Sequence, residues 1–423
     1  MDKIQLKYGK SSVEIDLRGA ASINNLEGER FAAIDDMGEA FLKAVETDCI
    51  QSPPLREIIA AQDKITIIIS DITRFWMRQD KVVPLLVEYL NEKIGVAYEN
   101  IVILIALGSH RFQTEDEMRT LVTGEIYEKI RVLNHDCHAE DLTLVGETSS
   151  GTQVYVNPLA VGRKVIVISG TSHHLMSGYS GGRKSILPGV SGYETIRQNH
   201  IHSLAPDLPR SNPLIGMGIL QNNPVSSDMI DAAKLVSPVF GLNIAVSSQG
   251  EICRLIGGGF EAAWEKSCRA CQRMMGVPIS EKADAVVVSC GGFPKDMNLY
   301  QSTKAFINAA QAVKDGGEIV FLAQCPEGGG APDFFSWIKP MREGVLDAAL
   351  RENFTIAGYI FYAFCEAMER CSVHMLSDIG PDEIKGMKIS LHSTPQELAK
   401  NLDFSGKTVY VMPYGGNTVP YLE

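Results

Sequence analysis

The segment 174–200 holds the densest set of side chains that could do chemistry. Its Ser180–Gly182 loop is followed directly by Arg183 and Lys184. Glycines let backbone N–H groups approach an anion, and the two cations would neutralise it. The pattern therefore fits a phosphate site, and it equally fits a glycine-rich turn with solvated cations. It is not the phosphate loop of a nucleoside triphosphatase, because Arg183 separates the last glycine from Lys184.

Lys184 is also a candidate for a covalent bond to a cofactor. In a partly dry and cationic neighbourhood, an amine loses its proton more readily than its ordinary pKa of about 10.4 implies. The neutral amine is then a nucleophile. The alternative that the sequence leaves open is a solvated surface lysine.

Histidines at positions 110, 174 and 200 are the other candidates. His110 and His174 each follow an apolar run in a loop rich in glycine and serine. Because imidazole has an ordinary pKa of about 6.5, the two rings could act as acid and base on one substrate, with structural histidines as the alternative. His200 and His202 would point about 200° apart in a helix, so they would not share a metal. Single-histidine ligation at His200 stays open.

The elements that must position these residues are short apolar runs rich in isoleucine and valine. Such runs are typical of strands buried on both faces of a parallel sheet, and helix start signals lie between them, which predicts an α/β protein. The predicted strands are 65–69, 101–107, 165–168, 285–288, 319–322 and 409–412. Polar clusters at 71–74, 108–110 and 170–174 follow the first three runs. Since ligands bind outside the carboxyl ends of such strands, the clusters are expected to converge on one crevice.

The chain is predicted to form two domains. A helix over 260–275 ends at a Gly-Val-Pro stop signal, and a new strand run follows. We expect an N-terminal cofactor-binding and catalytic domain over 1–275 and a C-terminal α/β domain over 276–407. Both would have mainly parallel sheets flanked by helices, with the active site in the cleft between them. The tail 408–423 could return to the N-terminal domain.

The predicted C-terminal domain has its own polar cluster at 290–296, before a helix that opens near Asn298. Gln301 and Lys304 are three residues apart and so share one face near the start of this helix. The helix dipole and the lysine would suit a carboxylate or a phosphate. A solvated helix face is the alternative.

The composition and charge of the chain limit the classes of molecule that it is expected to bind. The chain has 423 residues, a formal net charge of −12 and a pI near 5.3. This charge argues against nucleic-acid and anionic-membrane partners, which attract basic patches. No apolar run approaches the roughly 18 residues of a membrane span, and the N-terminus lacks the features of a signal peptide. The nine cysteines follow no pattern, so we expect a cytoplasmic protein with reduced thiols.

Together these motifs resemble the lactate racemase family, whose members use a nickel-pincer nucleotide to racemise or epimerise 2-hydroxy acids. The resemblance covers most of the chain in the same order. Its motifs are Asp71-Ile72-Thr73-Arg74, Gly108-Ser109-His110, His174 followed by Gly178-Tyr179-Ser180-Gly181-Gly182-Arg183-Lys184 and Asn199-His200, and Gly291-Gly292-Phe293-Pro294-Lys295-Asp296 followed by Tyr300-Gln301 and Lys304.

The resemblance implies a nickel pyridinium-3,5-bisthiocarboxylate mononucleotide, bound covalently to Lys184 and ligated through nickel by His200. It implies that His110 and His174 are the acid/base pair, while hydride leaves C2 for the cofactor and a 2-keto acid forms. The residues implied to bind the cofactor are Asp71, Ile72, Thr73, Arg74, Ser180, Gly181, Gly182, Gln301 and Lys304. Those implied to contact the substrate are Arg74, Tyr300, Gln301 and Lys304. Cofactor-biosynthesis proteins would load the site, which would be empty in a protein made without them.

One residue departs from the family pattern. Phe75 stands where members commonly carry proline after the arginine, and Trp76 follows it. The departure affects the expected substrate pocket, so the resemblance implies the reaction class and not lactate itself. Two other functions stay open: a pyridoxal-phosphate racemase with Lys184 as its Schiff-base lysine, and a non-catalytic binding protein for the cofactor or a hydroxy acid. The oligomeric state is not predicted.

Overall fold

The computed structural model describes residues 3–247 and 250–423, which divide into two compact units. The N-terminal unit consists of Arg30–Ser203 and Pro213–Met274. The C-terminal unit consists of the described residues up to Glu29, together with Leu204–Asn212 and Met275–Glu423.

The strands alternate with helices along most of the chain, as expected for an α/β protein. The strands are β1 (Lys3–Tyr8), β2 (Ser11–Asp16), β3 (Ser22–Asn25), β4 (Ile65–Ser70), β5 (Ile101–Ala106), β6 (Arg131–Asn134), β7 (Thr143–Glu147), β8 (Gln153–Val156), β9 (Lys164–Gly170), β10 (His173–His174), β11 (Gly178–Tyr179), β12 (Phe240–Val246), β13 (Ile252–Gly258), β14 (Gly276–Ile279), β15 (Ala283–Ser289), β16 (Val313–Leu322), β17 (Ser372–Leu376), β18 (Ser390–His392), β19 (Thr408–Met412) and β20 (Val419–Leu422).

The helices vary from a single turn to more than four turns. They are α1 (Met37–Leu42), α2 (Leu55–Ile58), α3 (Val83–Glu88), α4 (Glu115–Val122), α5 (Gly124–Lys129), α6 (Tyr193–His200), α7 (Pro224–Val236), α8 (Phe260–Met275), α9 (Leu299–Ala312), α10 (Ile338–Arg342), α11 (Leu346–Glu352), α12 (Ile356–Met368) and α13 (Pro395–Lys400).

The N-terminal unit is built on a six-stranded sheet in the order β13-β12-β9-β4-β5-β6. All neighbours are parallel except β12 and β13. The three predicted strands of this region are confirmed as β4, β5 and β9. Ile67, Ile103 and Ile166 at their centres are fully buried, because helices and connecting segments cover both faces of the sheet.

The C-terminal unit contains a second six-stranded sheet, in the order β18-β17-β16-β15-β19-β3, with every neighbouring pair parallel. The other three predicted strands are confirmed as β15, β16 and β19. The tail differs from the expected return to the N-terminal domain, since β19 lies between β15 and β3. The physical reason is burial: Val409 and Val411 are almost fully buried, which an interior strand position provides. Residues 22–25 form β3, which pairs with β19 at the edge of this sheet.

Capping boxes are expected from the sequence at Thr114–Glu117 and Ser191–Glu194, and the structure forms the first of these two but not the second. The predicted helix 260–275 is α8, and it ends directly before the Gly-Val-Pro segment. The side chain of Thr114 accepts the Glu117 N–H in a complete capping box. At α6, by contrast, Gly192 is the N-cap, because the Ser191 hydroxyl donates to the Ile186 carbonyl instead. Within the described ranges, no helix is both long enough and apolar enough to cross a membrane.

The position of the tail gives a test of the domain division. We expect Val411→Ala to cost about 1–3 kcal/mol, because it removes methyl groups from a buried strand. Hydrogen exchange should then accelerate in β3 and β15, which pair with β19, and stay unchanged in β4 and β5 of the N-terminal unit. Exchange measured by mass spectrometry checks this. Faster exchange in β4 and β5 alone would contradict the division.

Candidate active site

Three polar segments begin at the carboxyl ends of neighbouring strands in the N-terminal sheet. Strands β4, β5 and β9 are parallel neighbours, and Ser70 at the end of β4 pairs with Ala106 at the end of β5. The segments that begin at Asp71, Leu107 and Thr171 therefore start side by side. This arrangement agrees with the expected convergence of the polar clusters.

Asp71 and His110 form a contact between the ends of β4 and β5. The Asp71 carboxylate meets His110 Nδ1 and also accepts a hydrogen bond of 2.7 Å from the Thr73 hydroxyl. Burial alone would raise the pKa of Asp71, but the hydrogen bond and charge of His110, together with the charge of Arg74, lower it. An ionised carboxylate holds the imidazole with Nδ1 protonated and leaves the Nε2 lone pair for other groups. The His110 side chain is 41% exposed, so a ligand can reach it.

His174 and Lys184 form the second contact, beyond the end of β9. His174 Nε2 lies 2.8 Å from Lys184 Nζ. One of these two nitrogens must supply a lone pair for the contact, so a proton can pass between them. The other ring nitrogen, Nδ1, lies 3.1 Å from the Ser177 hydroxyl. The ring is thus held at both nitrogens, unlike the half-exposed His110.

The hairpin of β10 and β11 that carries His174 is held by α8. Gln272 Oε1 accepts hydrogen bonds from His173 Nε2 at 2.8 Å and from the Tyr179 hydroxyl at 2.7 Å. Trp264 Nε1 donates to the Ser180 carbonyl at 3.0 Å. Two side chains of one helix therefore position both ends of the hairpin.

Arg183 differs from the solvated or phosphate-binding cation expected from the sequence. It is 2% exposed, and its guanidinium carbon lies 3.9 Å from the centre of the Trp264 ring. It donates to the Ser177 carbonyl at 2.6 Å and to the Ser226 hydroxyl at 2.9 Å. Burial lowers the pKa of Arg183 to about 10, so the group stays charged at neutral pH. Arg183 therefore holds the hairpin from inside the protein.

Two amides of the Ser180–Gly182 loop are bonded within the protein. The Ser180 N–H donates to the Ser172 carbonyl, and the Gly182 N–H donates to the Ser169 hydroxyl, both at 2.8 Å. Neither amide is free to bind a phosphate in this conformation. Gly182 has a φ of +50°, and a Cβ there would lie 2.5 Å from the Trp264 ring. The close approach to Trp264 thus requires glycine at this position.

His200 is buried at the end of α6 and has a defined tautomer. Its Nδ1 donates to the Ile196 carbonyl at 2.9 Å, which leaves the Nε2 lone pair for a metal or a donor. Burial, and then the positive charge of Lys184, lower the pKa of His200 to about 3. The ring is therefore neutral, the form that ligates nickel and similar divalent metals.

A network around Asp228 fixes the helix that carries His200. The buried Asp228 carboxylate accepts from Asn199 at 2.8 Å and from Thr152 at 2.9 Å, and it also contacts Thr148. Asn199 donates a further bond of 3.1 Å to the Val225 carbonyl. Asp228 thus ties α6 to α7 and to the segment before β8.

The donor set fits a metal only in combination with a cofactor. Among the residues that the structure describes, no group of three or more His, Cys, Asp or Glu side chains could hold a metal ion. His200 would therefore be a single protein ligand, and the remaining ligands would have to come from a bound molecule. A nucleotide that carries its own sulfur donors meets this requirement.

The candidate residues of the C-terminal unit lie at the start of α9. Asn298 is the N-cap, and its side chain accepts the Gln301 N–H at 3.0 Å. Gln301 is half-buried and Lys304 is exposed. The Tyr300 ring packs edge-on against Phe334, with 5.8 Å between the ring centres. The helix start near Asn298 is confirmed, and the contact of these residues with substrate stays a prediction.

Phe75 and Trp76 lie in a 3-10 turn over Ile72–Met77. The Phe75 ring packs against the core, and the Arg78 guanidinium lies 5.5 Å from its centre. Trp76 is 36% exposed. Of the two aromatic residues, Trp76 is thus the more exposed.

Sequence reasoning missed the supporting residues Trp264, Gln272 and Asp228. Trp264 and Gln272 are eight residues apart in α8 and share a face with Cys268, so a polar Gln272 on an otherwise apolar face was the available signal. Their partners lie about a hundred residues earlier in the chain, and no local pattern predicts such pairing.

Known proteins match this chain along most of its length. The profile of the lactate racemase N-terminal domain matches residues 8–210, and that of the lactate racemase C-terminal domain matches residues 279–416. A lactate racemase from Thermoanaerobacterium thermosaccharolyticum is 34% identical over 81% of this chain and 79% of its own length. A lactate racemase from Lactiplantibacillus plantarum is 28% identical over 85% of this chain and 83% of its own length.

Solved structures agree in fold. The lactate racemase apoprotein from Thermoanaerobacterium thermosaccharolyticum superposes with a TM-score of 0.88 and 29% identity, covering 99% of this chain and 100% of that one. A Thermotoga maritima protein with 18% identity shares the fold at a TM-score of 0.65, over 94% of this chain and all of its own. The α/β fold and the sequence matches define an isomerase of the racemase class. The chain belongs to the lactate racemase family.

The tautomer of His200 can be measured directly. Because burial disfavours the cation, we expect the ring to stay neutral with a proton on Nδ1 from pH 8 down to pH 5. Nitrogen-15 spectra of histidine-labelled protein, assigned by comparison with His200→Gln, check this. Since the folded pKa of about 3 lies below the ordinary value, His200 stabilises the fold above about pH 6.5, and this contribution is lost as the pH falls toward 3. A protonated ring at pH 6 would contradict the assignment.

The role of Arg183 predicts a large effect on stability. We expect Arg183→Met to lower the free energy of unfolding by about 2–4 kcal/mol, because buried acceptors lose a charged donor and the Trp264 ring loses its cation. Urea denaturation followed by tryptophan fluorescence checks this. Arg197→Met, which removes an exposed arginine from α6, is the matched control and should stay near the wild type. Equal effects of the two substitutions would show that Arg183 is not holding the hairpin.

Proposed function

We propose that this protein is a racemase or epimerase of a 2-hydroxy acid, either lactate or a related 2-hydroxy carboxylate. The observation that carries the proposal is the pair of histidine contacts beyond adjacent strand ends, Asp71–His110 and Lys184–His174. The names of the relatives support the substrate class, since both are lactate racemases.

Inversion of configuration at C2 of the substrate determines which groups the protein must provide. The hydroxyl proton must leave on one face of the substrate and return on the other, so two acid/base groups are needed. His110, oriented by the Asp71 carboxylate, is proposed as one of them. His174, whose Nε2 lies 2.8 Å from Lys184 Nζ, is proposed as the other. The histidine that acts as the base in one direction of the reaction would act as the acid in the other direction.

We propose Lys184 and His200 as the residues that hold a nickel-pincer nucleotide. Lys184 would provide the amine for the covalent bond, and the neutral His200 would provide its Nε2 lone pair to the metal. When bound, the group would supply the acceptor for the C2 hydride. Cofactor-biosynthesis proteins are proposed to load it.

Cations and polar groups would hold the rest of the substrate and the cofactor. Arg74 lies beside Asp71 and donates to the Thr73 hydroxyl at 3.0 Å, which points its guanidinium toward this end of the sheet. It is proposed to bind the substrate carboxylate as a charged donor. Tyr300, Gln301 and Lys304 are proposed to engage substrate or cofactor from the C-terminal unit.

The covalent bond is tested by mass spectrometry. Protein produced together with the pincer-nucleotide biosynthetic enzymes should carry an adduct on the peptide that contains Lys184, with nickel in the intact protein. Lys184→Arg keeps the charge but offers no comparable nucleophile, so it should carry none. An unmodified peptide, beside a known racemase that did load, would refute the covalent bond. An absorbance band of an internal aldimine would instead indicate a pyridoxal-phosphate enzyme.

The acid/base roles are tested by chiral analysis of 2-hydroxy acids. In the loaded protein, His110→Ala and His174→Ala should each reduce the racemisation rate by about 100- to 10,000-fold, because each removes one proton-transfer group. His138→Ala removes an exposed histidine that only stacks on Tyr193, and it should leave the rate unchanged. Wild-type protein that loads fully but interconverts none of the acids would favour the binding-protein alternative.

A further inference from the structure

A cavity in the N-terminal unit is lined by none of the candidate histidines. It has a volume of about 650 Å³, which is within the range of small-molecule sites. Its apolar wall comes from β13, including Leu255 and Ile256, and from Ala44 and Ile50 of the segment before β4. Residues of α8 also line it.

The cavity is lined by more positive than negative side chains. The cations are Lys43, Arg254, Lys266, Arg269 and Arg273, and the lining acid is Asp48. Glu39 pairs with Lys43 at 2.6 Å, and Glu265 lies 4.0 Å from Arg269. Among the described residues that line the cavity, five are cations and one is an acid. In a chain with a net charge of −12, this local excess must come from the placement of the residues.

Two of the arginines lie against an aromatic ring at the cavity wall. The guanidinium carbons of Arg254 and Arg273 lie 4.6 Å and 5.0 Å from the centre of the Phe31 ring. Stacking on the ring restrains both side chains and reduces the entropy that they would lose on binding an anion. The wall therefore presents an apolar surface and positioned cations together.

We propose that this cavity binds a small organic anion with an apolar body, such as a carboxylate, sulfonate or phosphate carried on a hydrocarbon or aromatic group. The apolar body would be buried against β13 and Phe31. The anionic group would lie among Lys266, Arg269 and the two stacked arginines. An inorganic anion alone would leave the apolar wall in water.

The site shares α8 with the candidate active site. Lys266, Arg269 and Ala270 line the cavity, while Trp264 and Gln272 bond the hairpin of His174. A ligand in the cavity would therefore lie against the helix that positions this hairpin. Binding itself does not depend on the proposed racemase activity.

The binding test uses full-length protein and 8-anilinonaphthalene-1-sulfonate, a fluorescent aromatic anion. We expect saturable binding that weakens about tenfold in Lys266→Gln/Arg269→Gln, because two cations are lost. Ala270→Trp, which keeps every charge but fills the cavity, should weaken binding as strongly. Lys385→Gln/Lys388→Gln removes two exposed cations from the C-terminal unit and is the matched control. Wild-type affinity in both cavity variants, or an equal loss in the control, would overturn the proposal.

A competition experiment tests whether binding requires both the anionic group and the apolar body of the ligand. Octanoate should displace the dye, because it combines an anionic group with an apolar chain. Inorganic phosphate and sulfate should not displace it at the same concentration. Displacement by the inorganic ions alone would overturn the requirement for an apolar body. Displacement by octanol as effectively as by octanoate would overturn the requirement for an anion.

Discussion

The stacking of Arg183 on Trp264 is the interaction on which the rest of the site depends. A buried guanidinium is costly unless its donors and its charge are compensated. Here the compensation comes from two carbonyls of the His174 hairpin, a serine of α7 and the face of an indole from α8. One cation therefore joins three separate pieces of the chain. Because Lys184 directly follows Arg183, the same contact determines where the candidate nucleophile lies.

The two candidate acid/base histidines have different surroundings. His110 is half-exposed and paired with a carboxylate, whereas His174 is paired with an amine and held by the turn that follows it. A pair of bases on opposite faces of a substrate would not need identical environments, since each must only exchange a proton near neutrality. The two histidines are therefore chemically unequal.

Features that depend on local pattern were predictable from the sequence. The runs at 65–69, 101–107 and 165–168 are parallel neighbours, so the polar residues after them meet at one edge. Features that depend on distant partners were not. The glycines after Ser180 look like a phosphate loop, but the Gly182 amide bonds to Ser169 and the Ser180 amide bonds to Ser172. Strand β19 of the tail pairs with β3, which lies near the other end of the chain. Neither segment carries a local pattern that predicts this pairing.

The positive charge of Lys184 acts on His200 and bears on how the proposed cofactor would bind. The positive charge of Lys184 contributes to the low proton affinity of His200, and the same repulsion acts on any cation at Nε2. Conversion of the amine into an uncharged amide removes that repulsion. By reciprocity, a cation on His200 would make Lys184 lose its proton more readily. In the proposed cofactor complex, acylation of Lys184 and metal binding at His200 would therefore reinforce each other.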